Sequence, residues 1–140
     1  MFDLPIKSVM ERKKFIAVPP DKTVSQTAYL MAHKNAGAVL VTEDDRLVGI
    51  FTERDLVFRV VAAGLDPAQT PVRSVMTAAP VSLDATQSYG HALVVMQKHG
   101  FRHVPVLENG HPIGIVSSRN AMDPDLDEFV SETRRREHYQ

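Results

Sequence analysis

The chain lacks cysteine, tryptophan and a surplus of charge of either sign. Its 140 residues include no Cys and no Trp, and 16 basic side chains stand against 17 acidic ones. The absence of cysteine excludes disulfides, thiolate zinc sites and thiol catalysis. A chain without a basic surplus has no electrostatic footprint for nucleic acid or for an anionic membrane, so neither is expected as a partner.

Long apolar runs are also missing. The N-terminus has no apolar core of the kind that marks a secretory signal, and no segment approaches the length that crosses a bilayer. The hydrophobic fraction of 44% and the charged fraction of 24% are those of a folded globular protein. These features predict a cytoplasmic protein that folds as one compact domain or as two small, mutually dependent ones.

An internal repeat organises the chain. Residues 16–57 align with residues 81–122 at a constant offset of 65, without a gap, and the segments IKSVM (6–10) and VRSVM (72–76) match once the offset changes by one residue. Burial and backbone geometry restrict the residue type at the matching positions, so matches in the same order indicate duplication of one unit. The identical pairs are Met31 with Met96, Val39 with Val104, Val41 with Val106, Glu43 with Glu108, Gly49 with Gly114, Ile50 with Ile115 and Arg54 with Arg119.

Each repeat is predicted to run strand, helix, strand, turn, strand, helix. In the first repeat the predicted strands are residues 16–18, 38–42 and 47–51. In the second repeat, Asn109-Gly110 is typical of a type I′ hairpin turn, which needs positive φ at both central residues. The last two strands of each repeat are therefore predicted to pair as antiparallel neighbours.

Two helices complete each repeat. Thr23 and Gln26 form a capping-box pattern for a first helix that ends near Asn35. A second helix is predicted from about Glu53 and ends at Gly64, a usual residue just past a helix C-terminus. The predicted inner face of the first helix comprises Ala28, Met31 and Ala32.

The predicted domains are residues 1–64 and residues 72–122. Residues 65–71 contain Asp-Pro and Thr-Pro pairs and are predicted to link them. Residues 123–140 are predicted to form a C-terminal helix, because acidic residues come early and arginines late, as the helix dipole favours. Both an ordinary docking helix and a helix that recognises a partner remain open for this segment.

The motif GIFTERD at residues 49–55 recurs as GIVSSRN at residues 114–120. In each motif a buried strand is predicted to end and a helix to begin at the hydroxyl residue. One interpretation is structural, with Thr52 as N-cap and Asp55 as its capping-box partner.

The other interpretation of these motifs is ligand binding. A helix start presents free N–H groups that favour phosphate, and Arg54 or Arg119 adds a guanidinium fork. Asp55 can accept hydrogen bonds from the two vicinal hydroxyls of a ribose, whereas Asn120 offers only an uncharged amide oxygen. The sequence therefore predicts a pair of binding clefts that are alike in shape and unequal in chemistry.

These motifs resemble those of the cystathionine β-synthase (CBS) domain, which occurs in tandem as a Bateman module. The resemblance rests on the two Ser-Val-Met segments, the doubled Gly-x-x-[Thr/Ser]-x-x-[Asp/Asn] motif and the run FRHVPV at residues 101–106, and it spans about residues 5–122. The tail DPDLDEF is also similar to that of small stand-alone bacterial members. The resemblance implies an α/β (α+β) fold of tandem CBS domains, each with a mixed three-stranded sheet and two helices, packed by pseudo-twofold symmetry.

The resemblance further implies a regulatory module that binds an adenosine nucleotide between its repeats and signals by conformational change. The implied ligands are AMP, ADP, ATP, S-adenosylmethionine or an NAD-type dinucleotide, and the implied assembly is a flat homodimer. Carried over by position, Asp55 and Asn120 would hold ribose hydroxyls. Phosphates would be faced by Thr52, Arg54, Ser117 and Arg119, with Arg102 and His103 reaching a phosphate from the opposing repeat. Backbone around Ile16, Val18, Val81 and Leu83, with Val39 and Val104, would line the base pocket.

Other functions were weighed against this one. His99, His103 and His111 invite a metal site, but no HExxH or similar ligand pair is present. Ser117, Ser118, His103 and Asp123 supply the ingredients of a catalytic triad, but no nucleophile elbow supports one. No metal, no required cofactor and no enzymatic activity are therefore expected, and any regulated partner protein is unknown.

One alternative stays open. A non-liganded dimerisation or interaction protein, acting as an accessory subunit, would carry the same motifs, because a capping box and a nucleotide cleft look alike in sequence. In the sensor interpretation the Asp55 cleft is predicted to be the better formed of the two, since Asn120 lacks the negative charge.

Overall fold

The structure is a computed structural model that describes residues 2–10 and 14–119. Its elements follow the predicted order through both repeats. They are β1 (Ala17–Val18), α1 (Val24–Lys34), β2 (Ala38–Glu43), β3 (Arg46–Thr52), α2 (Glu53–Asp55), which continues as a π-helical stretch (Leu56–Val61), β4 (Thr77–Ala78), β5 (Leu83–Asp84), α3 (Tyr89–His99), β6 (His103–Glu108) and β7 (His111–Ser117). The predicted last helix of the second repeat, the predicted C-terminal helix and Asn120 lie outside the described residues.

Two mixed sheets form the body of the molecule, as predicted. In the first sheet β1 is parallel to β2, and β2, β3 and β4 are antiparallel neighbours. In the second sheet β5 is parallel to β6, and β6 is antiparallel to β7. The first sheet has a fourth strand that was not predicted, because β4 comes from beyond the linker and pairs with Gly49 and Ile50 of β3.

Both hairpins turn through residues with positive φ. Asn109 has φ 54° and Gly110 has φ 80°, which confirms the predicted type I′ turn. In the first repeat Asp44 (φ 52°) and Asp45 (φ 62°) occupy the equivalent turn positions. Asp is among the few residues besides glycine that tolerate this conformation, so the two hairpins have matching geometry.

Helix α1 has the predicted cap and a slightly different buried face. The Thr23 side chain accepts from the Gln26 N–H (3.1 Å) and the Gln26 side chain accepts from the Thr23 N–H (3.2 Å), which confirms the capping box. The predicted inner position of Ala32 is wrong, because this residue is exposed, and Ala28 is only half-buried. The helix is rotated so that its buried positions, three and four residues apart, are Val24, Thr27 and Met31.

The residues just before each Ser-Val-Met motif hydrogen-bond to the loop between the first strand and the first helix of the other repeat. The Ile6 N–H donates to the Gln87 carbonyl (2.8 Å) in the second repeat. The Val72 N–H donates to the Lys22 carbonyl (2.8 Å) in the first repeat. The domain boundaries stay predictions, but residues 6–10 pack with the second sheet although they precede the first repeat.

Three hydrophobic clusters follow this arrangement. Val72 and Val75 are buried in the cluster of the first sheet, and Ile6 and Val9 are buried in that of the second sheet. A third cluster joins the two sheets and includes one pair of equivalent positions from the repeats, as pseudo-twofold packing requires. Its buried members are Ala38, Leu40, Ile50 and Ile115.

A methionine of each Ser-Val-Met motif lies directly on a glycine of a central strand. A Cβ on Gly49 would overlap the Met76 sulfur, and a Cβ on Gly114 would lie 3.0 Å from the Met10 sulfur. Glycine at both positions thus gives the methionine room and does not serve a special backbone conformation. Among the described residues, no helix combines the length and the apolar character that a bilayer span requires.

We expect Gly49→Ala to destabilise the protein by about 1–3 kcal/mol, because the added methyl group overpacks the contact with Met76. Chemical denaturation measures this change. Gly114→Ala is the matched control. It should lower the stability less, since a Cβ on Gly114 would lie farther from the Met10 sulfur than a Cβ on Gly49 from the Met76 sulfur. The Gly49→Ala cost should also fall in a Met76→Ala background, where the sulfur is gone. Equal costs in both backgrounds would contradict the packing argument.

Candidate functional site

The candidate site begins where β3 ends and α2 starts, at the motif that contains Thr52 and Asp55. The Asp55 Oδ2 accepts hydrogen bonds from the Thr52 N–H (2.9 Å) and from the Thr52 hydroxyl (3.1 Å). The Thr52 oxygen in turn accepts from the Asp55 N–H (3.3 Å). These hydrogen bonds confirm the predicted capping box. They also hold the Asp55 carboxylate in place, and only 8% of the surface of Asp55 is exposed.

The two oxygens of the Asp55 carboxylate have different partners. Oδ2 is held by Thr52, whereas Oδ1 lies 3.5 Å from the Arg59 Nε. A ribose hydroxyl that approached this carboxylate would therefore meet Oδ1 and would share it with the guanidinium. The predicted role of Asp55 in holding ribose stays a prediction, and the structure adds that its orientation is set before any ligand arrives.

Residues of both repeats meet at Gly37. The Glu53 N–H, at the first position of α2, donates to the Gly37 carbonyl (3.0 Å). A Cβ on Gly37 would lie 3.2 Å from the Glu53 Oε1 and 3.2 Å from the His103 Nε2. His103, from the second repeat, is thus brought to the helix start of the first repeat, where the sequence placed it opposite a phosphate.

Glu53 and Gly37 were not among the predicted site residues. Glu53 stands inside the repeated motif, where Ser118 is its counterpart, and this difference in charge between the repeats was the available signal. Gly37 has no counterpart glycine, since residue 102 is Arg. A carboxylate from the first repeat and an imidazole from the second therefore both lie next to Gly37.

The equivalent strand-to-helix junction of the second repeat has the same backbone geometry. The Ser118 N–H donates to the Arg102 carbonyl (2.8 Å), as Glu53 does to Gly37 in the first repeat. Ser117 is buried, while Arg102 and Arg119 are exposed. The junction is thus repeated in structure, and Ser117, Arg102 and Arg119 keep their predicted phosphate roles as predictions.

Arg54 is held on the surface of its own helix. Its guanidinium carbon lies 4.4 Å from the centroid of the Phe58 ring, a cation–π contact between residues four apart. Phe58 is exposed, so this contact costs little to break. The predicted role of Arg54 in facing a phosphate stays a prediction.

The residues predicted to line the base pocket belong mainly to the hydrophobic clusters. Their side chains face neighbouring core residues, so only their backbone atoms are left for a ligand. The exception is Val81, which is 39% exposed. The buried members are Ile16, Val18 and Val39 in the cluster of the first sheet, and Leu83 and Val104 in that of the second.

The edge of the second sheet carries a charge that the first lacks. The Thr86 hydroxyl (2.6 Å) and the Thr86 N–H (2.9 Å) both donate to the Asp84 Oδ1. These hydrogen bonds, the one from the side chain first, hold the pKa of Asp84 below its usual value. Pro19 is the counterpart at the constant offset, so the two repeats differ in charge beside their predicted base walls.

A shallow depression of about 370 Å³ lies elsewhere on the surface, at the start of α1. The first three N–H groups of that helix are already used, by the Thr70 and Pro67 carbonyls and by the Thr23 side chain. It therefore offers no ready site for an anion. Within residues 2–10 and 14–119, no group of three or more acidic or histidine side chains is placed to hold a metal ion.

Comparison with known proteins agrees with the doubled fold. The family model of the CBS domain matches residues 6–62 and residues 72–124. The CBS domain-containing protein YhcV of Bacillus subtilis is 37% identical over 100 residues, which cover 71% of this chain and 71% of YhcV. The meiotically up-regulated gene 70 protein of Schizosaccharomyces pombe is 39% identical over 100 residues, but these cover 71% of this chain and only 14% of that protein.

Solved structures show the same architecture. An uncharacterised conserved protein from Pyrococcus horikoshii superposes with a TM-score of 0.81 at 30% identity, covering 89% of this chain and 93% of that one. A candidate signal-transduction protein with CBS domains from Burkholderia ambifaria superposes with a TM-score of 0.77 at 31% identity, covering 85% of this chain and 89% of that one. Relatives that consist of CBS domains alone are typically regulatory and non-catalytic. The chain belongs to the CBS-domain family, as a tandem pair of a kind that is generally regulatory or signalling.

Proposed function

We propose that this tandem pair is a regulatory sensor that binds an adenosine nucleotide in the cleft at Asp55. The observation that carries the proposal is the meeting of both repeats at Gly37. There, the capped helix start of Thr52 and Asp55 lies beside His103 of the other repeat. A ligand in this cleft would contact both repeats, which is what a sensor of their relative arrangement needs.

The chemistry of the cleft suits a nucleoside phosphate. Because Oδ2 is held by Thr52, a ribose hydroxyl would bind Asp55 through Oδ1, which it would share with Arg59. His103 can donate to a phosphate when it is protonated, and the Thr52 hydroxyl lies at the same helix start. Backbone groups at the edge of the core would bracket the base. AMP, ADP and ATP are the first ligands to test, followed by S-adenosylmethionine and NAD.

The two clefts are proposed to be unequal. Asn120 stands where the first repeat has Asp55, so a ribose in the second cleft would lack a charged acceptor. Hydrogen bonds to charged groups are roughly twice as strong as neutral ones. One nucleotide per chain, at the Asp55 cleft, is therefore the proposed stoichiometry.

The nucleotide acts, in this proposal, by shifting a population of conformations. A ligand that contacts both repeats stabilises the arrangement in which both contacts form. The regulated activity belongs to another protein, and the cytoplasmic location stays a prediction. The second candidate function is an interaction protein without a ligand, and the observation that favours it is the Thr52–Asp55 cap, which is complete by itself.

Association of two chains is also proposed. Large apolar side chains are exposed on helices of both repeats, namely Tyr29 on α1, Val57, Phe58 and Val61 in the π-helical stretch, and Val94 on α3. Tyr29 and Val94 are equivalent positions of the repeats. Several large apolar side chains exposed on helices are a common feature of protein interfaces, which supports a homodimer formed through these helices.

The nucleotide proposal is tested with two variants that remove the same kind of cap. Asp55→Ala and Gln26→Ala each delete the third-position partner of a capping box, and each should cost about 0.5–2 kcal/mol of stability. Only Asp55→Ala should also weaken nucleotide binding, roughly 10- to 100-fold, because a hydrogen bond to a charged group contributes about 1.5–3 kcal/mol. Isothermal titration with AMP, ADP and ATP measures the affinity and the stoichiometry.

A thermal-shift series with the same nucleotides provides the second measurement, since binding to the folded state raises the apparent stability. Equal effects of the two variants on affinity would contradict a site at Asp55. If only Gln26→Ala weakened nucleotide binding, the ligand would lie at the depression beside α1 instead. No shift with any of the nucleotides at millimolar concentration would favour the interaction protein.

The homodimer is tested by Val61→Arg, which puts a charge on the exposed apolar face. We expect the wild-type chain to sediment with twice the mass of one chain and the variant to sediment as a monomer, because burying an unpaired charge is costly. Gln69→Arg adds the same charge at another exposed position and serves as the control. A dimer that survives Val61→Arg unchanged would exclude this face.

A further inference from the structure

Arg59 connects the candidate site to the segment that follows the linker. Its Nε lies 3.5 Å from the Asp55 Oδ1. Its Nη1 donates to the backbone carbonyls of Val75 (3.3 Å) and Met76 (3.1 Å). One guanidinium therefore contacts both the carboxylate proposed to hold ribose and a stretch of backbone sixteen and seventeen residues further along the chain.

The backbone that Arg59 holds cannot move by itself. Val75 is buried in the cluster of the first sheet, and the Met76 side chain fills the space above Gly49. Directly after Met76 the chain becomes β4, which pairs with β3. A displacement of these carbonyls must therefore move β4, and with it the chain that enters the second repeat.

The helical geometry around Arg59 is unusual. Residues Leu56–Val61 form a π-helix, and the Ala62 N–H at its end donates to the Val57 carbonyl (2.9 Å), five residues back. π-Helical turns are rare and frequently occur at functional sites. In this molecule the π-helical stretch begins immediately after Asp55.

The second repeat has neither member of this ion pair. At the constant offset of 65, Asn120 replaces Asp55 and Pro124 replaces Arg59. Proline has no side-chain donor, and an asparagine amide carries no charge. Both charges of the pair are thus restricted to the first repeat.

We propose that Arg59 is a positioning residue that couples occupancy of the Asp55 cleft to the segment of residues 72–78. This inference rests on the proposed nucleotide site. Because Thr52 occupies Oδ2, a ribose hydroxyl must share Oδ1 with Arg59, and the ligand thereby changes how strongly the guanidinium is held on that side. The same guanidinium holds the Val75 and Met76 carbonyls, so the change reaches the second repeat through β4.

The coupling is reciprocal, because each of two linked equilibria changes the other by the same factor. An arrangement of residues 72–78 that draws Arg59 away from Oδ1 frees this oxygen for ribose. A regulated partner that binds near β4 would therefore alter nucleotide affinity, and the nucleotide would alter partner affinity by an equal factor.

Hydrogen–deuterium exchange of the full chain tests the coupling, with saturating AMP, ADP or ATP as probes. In the wild type, we expect a bound nucleotide to change exchange of the amides of residues 72–79 by roughly 5- to 150-fold, the usual range of such coupling. In Arg59→Gln the nucleotide should still bind, and the change at residues 72–79 should be lost. Arg46→Gln removes an exposed arginine at the start of β3 and should behave as the wild type.

The outcomes separate this inference from the nucleotide proposal. If Arg59→Gln binds nucleotide and retains the full response at residues 72–79, Arg59 has only a structural role and the inference is overturned, while the binding site stands. If the wild type binds none of the three nucleotides and neither S-adenosylmethionine nor NAD, both are wrong. Should Arg59→Gln not fold, Arg59→Lys replaces it, because lysine keeps the charge but lacks the planar fork that holds two carbonyls at once. Its response should be reduced, and a full response would overturn the inference.

Discussion

Two contacts between a methionine and a glycine pack the Ser-Val-Met segments against the central strands of the two sheets. Met76 covers Gly49 in the first sheet and Met10 covers Gly114 in the second, so closely that a side chain on either glycine would have to displace the methionine. Each contact fixes the backbone of a Ser-Val-Met segment against a central strand. The pairing of β4 with β3 and the hydrogen bonds from Arg59 to the Val75 and Met76 carbonyls lie beside the contact at Gly49. The geometry around Asp55 therefore depends on a contact between parts of the chain that are distant in sequence.

The hydrogen bonds that cap helix α2 also orient the carboxylate of the candidate site. Thr52 and Asp55 satisfy each other without a ligand, so the carboxylate pays no ordering cost when a ligand arrives. A site built in this way is pre-organised, and it also explains why sequence alone leaves both interpretations open. What distinguishes a binding cleft from a cap is the surroundings. At Gly37 these include Glu53 and His103 from different repeats.

The parts of the fold that depend on local chemistry could be predicted from the sequence. The capping boxes at Thr23 and Thr52, the turn at Asn109-Gly110 and the order of strands and helices are each encoded within a few residues. The parts that depend on tertiary packing could not. Strand β4, the rotation of α1 that exposes Ala32, and the reach of Arg59 to Val75 and Met76 all require knowledge of which distant segments meet. The site residues stay predictions for the same reason. A sequence motif identifies candidate side chains, but it does not show how they are arranged around a ligand.

The placement of residues 2–10 with the second sheet has a consequence for the order in which the protein forms on the ribosome. Domains generally fold as units while the chain emerges. The first sheet is complete once β4 has appeared, because all its hydrogen-bonding partners are then outside. Ile6 and Val9 precede the first sheet in sequence, but their packing and hydrogen-bonding partners are in the second repeat, in the Gln87 region and the last strands. Residues 2–10 can therefore reach their native partners only after the second repeat has been synthesised.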